Sequence, residues 1–92
     1  MRILGEFDKG NIKITVFKMN ERVSVKFEEN LLEQTYKFRD GSLINTLTDV
    51  QRFCSDSTID KINRIFTDMA KARSYAIEAM VEGEEESFDE II

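Results

Sequence analysis

The sequence predicts an α+β fold, a four-stranded antiparallel meander followed by a short and a long helix packed on one sheet face (ββββαα). Three observations predict it. Residues 2–39 form four segments in which apolar and polar side chains alternate, the signature of half-buried strands. The turns between them are about two residues long, and every hairpin register they imply turns the same apolar side inward. Residues 44–81 then change to the three-to-four-residue recurrence of helices.

The elements follow in order. Lys9-Gly10 reads as the first loop, because glycine tolerates the positive φ of a primed turn; it sets Phe7 opposite Ile12, Gly5 opposite Ile14 and Ile3 opposite Val16. Asn20-Glu21 reads as the second loop, with Val16 opposite Val25 and Ile14 opposite Phe27. Glu29-Asn30 reads as the third, with Phe27 opposite Leu32 and Val23 opposite Tyr36. On the other face these registers pair Glu6 with Lys13, Lys13 with Glu28 and Lys26 with Glu33. Asp40-Gly41 ends the last strand. Ser42 reads as a helix cap, with Ile44, Leu47, Val50 (or Gln51) and Cys54 behind it. Ser55-Asp56-Ser57 interrupts, and Asp56 or Ser57 caps a long amphipathic helix through Ile59, Ile62, Phe66, Met69, Ala76 and Met80, ending near Gly83.

Length allows one core, so residues 1–82 read as a single domain and 83–92 as an acidic, disordered tail. No apolar run approaches the ~18 residues of a membrane span, and Met1-Arg2-Ile3 enters the first strand with no room for a signal peptide. One cysteine, Cys54, fits a reducing cytoplasm and reads as a small buried hydrophobe. Net charge is −5, but Glu82–Ile92 hold six acids and no base, which leaves the folded part at +1. The low pI therefore belongs to the tail and excludes no anionic partner.

Enzyme chemistry finds no support. The chain has no histidine, and Gly5, Gly10, Gly41 and Gly83 stand isolated rather than in a phosphate-binding loop. There is no Cys/His cluster for zinc and no spaced calcium loop. No cofactor is expected. Three surfaces remain as candidates. The solvent face of the sheet displays Lys13, Phe17, Met19, Arg22, Lys26, Lys37 and Arg39, with Arg2 and Leu4 beside them. Basic side chains around an aromatic are what a single-strand nucleic-acid platform uses. Glu6, Glu28 and Glu33 on the same face also fit an ordinary solvated sheet, and Phe17, Met19 and Leu4 fit a contact with another protein or a second copy. Gln34 falls on the apolar face, with Tyr36 near it; a backbone hydrogen bond or a small pocket between sheet and helix would satisfy its amide. The tail combines strong negative charge with Phe88, Ile91 and Ile92, as a solubilising segment or a docking segment would.

Four antiparallel strands followed by a helix resemble, in element order alone, the repeat unit of Whirly-type and Pur-type single-strand nucleic-acid-binding domains. That resemblance implies a paired unit and carries over no functional residue. Leu32-Glu33-Gln34-Thr35-Tyr36-Lys37 after Lys26-Phe27-Glu28 is similar to a family of short bacterial, Bacteroidetes-like proteins of unknown function. The acidic, apolar-ended tail resembles in character the partner-docking tip of bacterial single-stranded-DNA-binding proteins, without that tip's terminal proline and phenylalanine. The expectation is thus a cytoplasmic, non-enzymatic protein-interaction module that forms a homodimer. It would do so through the sheet face or an edge strand (2–8 or 32–39), and would have an unknown protein partner and no membrane contact. The alternative is single-strand nucleic-acid binding by the basic sheet face, modulated by the tail.

Overall fold

Alternating side chains and two-residue loops give the sheet that the pattern predicts. The computed structural model describes residues 1–39 and 41–83 with their side chains and 84–91 by backbone alone. Strands β1 (Arg2–Lys9), β2 (Ile12–Met19), β3 (Arg22–Glu29) and β4 (Leu32–Arg39) pair antiparallel in the order β1-β2-β3-β4, followed by helices α1 (Leu47–Phe53) and α2 (Asp56–Ile91). The fold is α+β, with both edges of the sheet, β1 and β4, on the outside of the meander.

The middle loop is Asn20-Glu21 as expected, with φ of 52° and 62°, and it pairs Val16 with Val25 and Ile14 with Phe27. The outer two loops lie one residue later than the sequence reading. Gly10-Asn11 joins β1 to β2, with Gly10 at φ 61°, so Phe7 faces Ile14 and Gly5 faces Val16. Glycine serves as the first loop residue, where a type II′ turn needs the positive φ. Asn30-Leu31 joins β3 to β4, so Phe27 faces Gln34, Val25 faces Tyr36 and Val23 faces Phe38. Moving a loop by one residue moves the register by two, which preserves the inward face while changing every cross-strand partner. Leu31 takes φ 65° with its side chain fully exposed. Leu31→Gly relieves about 1–2 kcal/mol of left-handed strain against about 0.4–1 kcal/mol of added unfolded-chain entropy. We expect a net gain of roughly 0.5–1 kcal/mol in urea unfolding.

A second departure lies in β1. The pairing steps from Gly5↔Val16 to Ile3↔Phe17, so Leu4 is the extra residue of a β-bulge. The bulge reverses the faces beyond it. Leu4 packs against the core and Ile3 is 57% exposed, the opposite of the sequence expectation. A bulge also bends an edge strand away from edge-to-edge pairing.

The core is the inward face of the sheet, Ile12, Ile14, Val16, Val23, Val25 and Phe27, closed by Val50, Cys54, Ile59, Ile62 and Phe66 from the helices. Gly5 leaves room for α1, since a Cβ there would lie 2.8 Å from Leu47 Cδ2. Phe53 continues α1 onto β4, with ring centroids 6.2 Å from Tyr36 and 5.4 Å from Phe38. The cap of α1 is Thr46, not Ser42. Thr46 Oγ1 accepts from the Asp49 N–H at 3.2 Å while Asp49 Oδ2 accepts from the Thr46 N–H at 3.0 Å, a capping box. Those N–H donors, Asn45 first and then Thr46, hold the Asp49 carboxyl below the usual carboxylate range. Ser42 instead closes a local turn onto Ile44. Ser55 Oγ accepts from the Thr58 N–H, so α2 is capped one residue earlier than expected.

The helix also does not stop at Gly83, which is itself helical. A glycine inside a helix costs only about 1 kcal/mol relative to alanine, and with no positive φ here it makes no αL cap. The tail assignment and the candidate motif Phe88, Ile91 and Ile92 lie outside the described side chains. No helix among the described residues is long and apolar enough to cross a membrane.

Candidate functional site

The strand register gives the outward sheet face an order that composition alone conceals. Its cross-strand rows read Asp8, Lys13, Glu28, Glu33; then Glu6, Thr15, Lys26, Thr35; then Ile3, Phe17, Ser24, Lys37; and last Met19, Arg22, Arg39. Charge therefore runs from acidic at the end that carries the β1–β2 and β3–β4 loops to basic at the end that carries the β2–β3 loop. All seven predicted face residues share this surface, but the gradient divides them. Lys13 and Lys26 lie among carboxylates, and Lys26 Nζ is 3.2 Å from Glu28 Oε1. Phe17, Met19, Arg22, Lys37 and Arg39 stay together at the basic end, where Met19, Asn20, Arg22, Ser24 and Lys37 line a shallow hollow. Two of the expected charge pairs change: Glu6 faces Thr15 and Lys26 faces Thr35. Like charges meet instead at Glu28↔Glu33 and Arg22↔Arg39, arrangements that cost stability when directly opposed.

Gln34 resolves as a structural link. It is buried, and its Nε2 donates to the Ile62 carbonyl of α2 at 3.0 Å. Tyr36 Oη donates to Gln34 Oε1 at 2.8 Å. The amide is satisfied at both ends, so the two residues tie β4 to α2. Cys54 is buried as well, and desolvation pushes its thiol up to about 11, which keeps it protonated and poorly nucleophilic near neutral pH.

No known protein-family model, curated protein or solved structure matches the chain.

Functional argument therefore rests on geometry, and the surface that sequence reasoning missed is on α2. The sheet covers this helix only in its first half, where Ile59, Ile62 and Phe66 are buried and Met69 is partly so. Arg73 Nη1 donates to the Asn30 carbonyl at 3.2 Å, marking where α2 passes the β3–β4 loop. Around and beyond it, residues 71–82 are all exposed. The radius of gyration, 18.4 Å, exceeds the roughly 12 Å of a compact chain of this length, as a projecting helix requires. This exposed stretch is apolar around much of its girth: Ala72, Tyr75 (75% exposed), Ala76, Ile77 (54%), Ala79, Met80 (65%) and Val81. Ile65, 42% exposed, extends the patch back along the flank of the domain. The apolar recurrence through Phe66, Met69, Ala76 and Met80 is legible in the sequence. Periodicity alone implies that the sheet covers all of it, and eight-residue strands are too short for that.

Proposed function

We propose that this chain is a small cytosolic, non-enzymatic interaction module that self-associates, and that the exposed half of α2 is its contact surface. One observation carries the reading: a continuous run of large and small apolar side chains on α2 remains in solvent after the core has closed. Single exposed apolar residues are ordinary; a contiguous patch of this kind marks a protein contact. On the sheet face Glu28 opposes Glu33 and Arg22 opposes Arg39, whereas the outer half of α2 exposes Tyr75, Ile77, Met80 and Val81. The test is sedimentation equilibrium of the full chain and of an Ala76→Glu/Met80→Glu variant. Both side chains are exposed and glutamate is a good helix former, so the variant retains its fold. We expect the wild type to dimerise in the micromolar range and the variant to remain monomeric. A monomeric wild type at high micromolar concentration overturns the reading.

One observation favours a second reading, single-strand nucleic-acid binding at the basic end of the sheet face. Arg22, Lys37 and Arg39 cluster there beside Phe17, and among the described residues no carboxylate lies within ion-pair distance of them. This reading predicts affinity for fluorescent single strands that falls steeply with salt and is lost in Arg22→Glu/Arg39→Glu. Salt-insensitive or unchanged binding by that variant removes it.

A further inference from the structure

We infer that the outer edge of β4 is a docking site for an extended peptide of a partner protein, which joins the sheet as a fifth, antiparallel strand. The peptide carries acidic side chains opposite Lys37 and Arg39 and a basic one opposite Glu33. This goes beyond the self-association proposed above and does not depend on it. The two edges of the sheet differ. β1 is interrupted by the bulge at Leu4, whereas β4 pairs with β3 without a break from Leu32 to Arg39. An unbroken edge strand is a template for another chain. Its loop fixes which groups it offers. Asn30 and Leu31 take φ of 49° and 65°, as in a type I′ hairpin, whose closing pair, here Glu29 and Leu32, is hydrogen-bonded. Alternation from Leu32 turns the backbone groups of Gln34, Tyr36 and Phe38 toward β3 and those of Glu33, Thr35, Lys37 and Arg39 outward. Among the described residues, only the Arg39 carbonyl of that outward set has a partner, the Ser42 N–H at 3.2 Å. The core side of β4 is also only partly covered: Leu32, Tyr36 and Phe38 are half-buried, while Val23, Val25 and Phe27 on β3 are buried.

Charge selects the occupant. β3 gives none of the three charges on this edge an opposite partner: Glu33 faces Glu28, Lys37 faces Ser24 and Arg39 faces Arg22. A strand whose alternate residues read acidic, acidic, neutral, basic from its own N-terminal end supplies all three, and apolar residues between them cover Leu32, Tyr36 and Phe38. A second β4 would match the charges by setting Glu33 against Arg39, but it would also set Gln34 against Phe38. The α2 of one copy, held at Gln34 through Ile62, and Phe53 of the other, packed on Phe38, would then lie over strands only about 5 Å apart, where packed helices need about 8–10 Å. A lone peptide brings no helix with it.

The probe is a blocked peptide of glutamate, valine, glutamate, valine, threonine, valine and lysine in that order, titrated into the full chain and followed by backbone amide shifts. We expect micromolar binding with shifts at Glu33, Thr35 and Lys37. N-methylation of the second glutamate and the threonine, whose N–H groups face β4, abolishes binding; N-methylation of the first two valines, whose N–H groups face away, leaves it intact. Lys37→Glu/Arg39→Glu weakens binding roughly tenfold, and a peptide with lysines in place of the glutamates restores it. No binding, or binding that the two methylated peptides keep or lose equally, overturns the inference. So do shifts of these amides on dilution of the chain alone, which make the occupant a second copy. Shifts caused by single-stranded DNA and not by the peptide also overturn it, and assign the edge charges to nucleic acid.

Discussion

Phe27→Ala should remove about 3–5 kcal/mol of stability, read as a shift in the midpoint of urea unfolding. Phe27 is fully buried at the centre of the inward sheet face, opposite Ile14 on one side and Gln34 on the other. Its ring meets Tyr36 edge-on, with centroids 5.7 Å apart and planes at 86°. Truncation loses the transfer energy of the ring and leaves a cavity beneath α2 that strands on both sides hold open. Domains of this size have only about 5–14 kcal/mol in total, so the variant should sit near the edge of folding. Phe27→Leu keeps most of the volume and should cost no more than about 1.5 kcal/mol. Equal losses from the two variants would show that the site collapses freely and that this ring is not the centre of the core.

Gln34→Ala should cost about 2 kcal/mol, well above a surface substitution. The amide donates to the Ile62 carbonyl and accepts from Tyr36, so the variant removes the polar link between β4 and α2 and strips Tyr36 of its partner. Tyr36→Phe should cost only about 1 kcal/mol, because it removes a single half-buried hydroxyl contact. The double variant should fall short of the sum, since both changes remove one shared bond. Strict additivity in unfolding experiments would contradict the network. A Gln34→Ala variant as stable as wild type would show that the amide is a tolerated polar residue and does not hold the helix in place.

Which side chains face inward was legible throughout β2, β3 and β4, because alternation has a period of two and survives the loop errors. Their exact partners were legible only at Asn20-Glu21. At the third loop, the placement of Leu31 in the left-handed region goes against ordinary residue preference, and no local signal favoured it over Glu29-Asn30. The bulge at Leu4 was hidden for a related reason, since Ile3, Leu4 and Gly5 allow either of two faces to be inward. The start of α1 is legible in Thr46-Leu47-Thr48-Asp49, a capping-box spacing, whereas Ser42 is an equally good cap residue type four positions too early. The exposed half of α2 was not legible for a different reason. The α2 face was read correctly as apolar, but periodicity cannot tell how much of a long helix its neighbours will cover. That depends on the length of the strands beneath it, and the β3–β4 loop at Asn30 ends the cover near Arg73.

Residue-resolved dilution most directly tests the claim that residues 71–83 of α2 form the contact surface. Backbone and methyl NMR shifts would be followed from low to high micromolar concentration of the full chain. The account predicts concentration-dependent shifts at Ala72, Ala76, Ala79 and Met80, with Phe17, Met19, Arg22 and the β4 edge unchanged. Shifts centred on Phe17 and Met19, or on residues 32–39, with α2 silent, would contradict it.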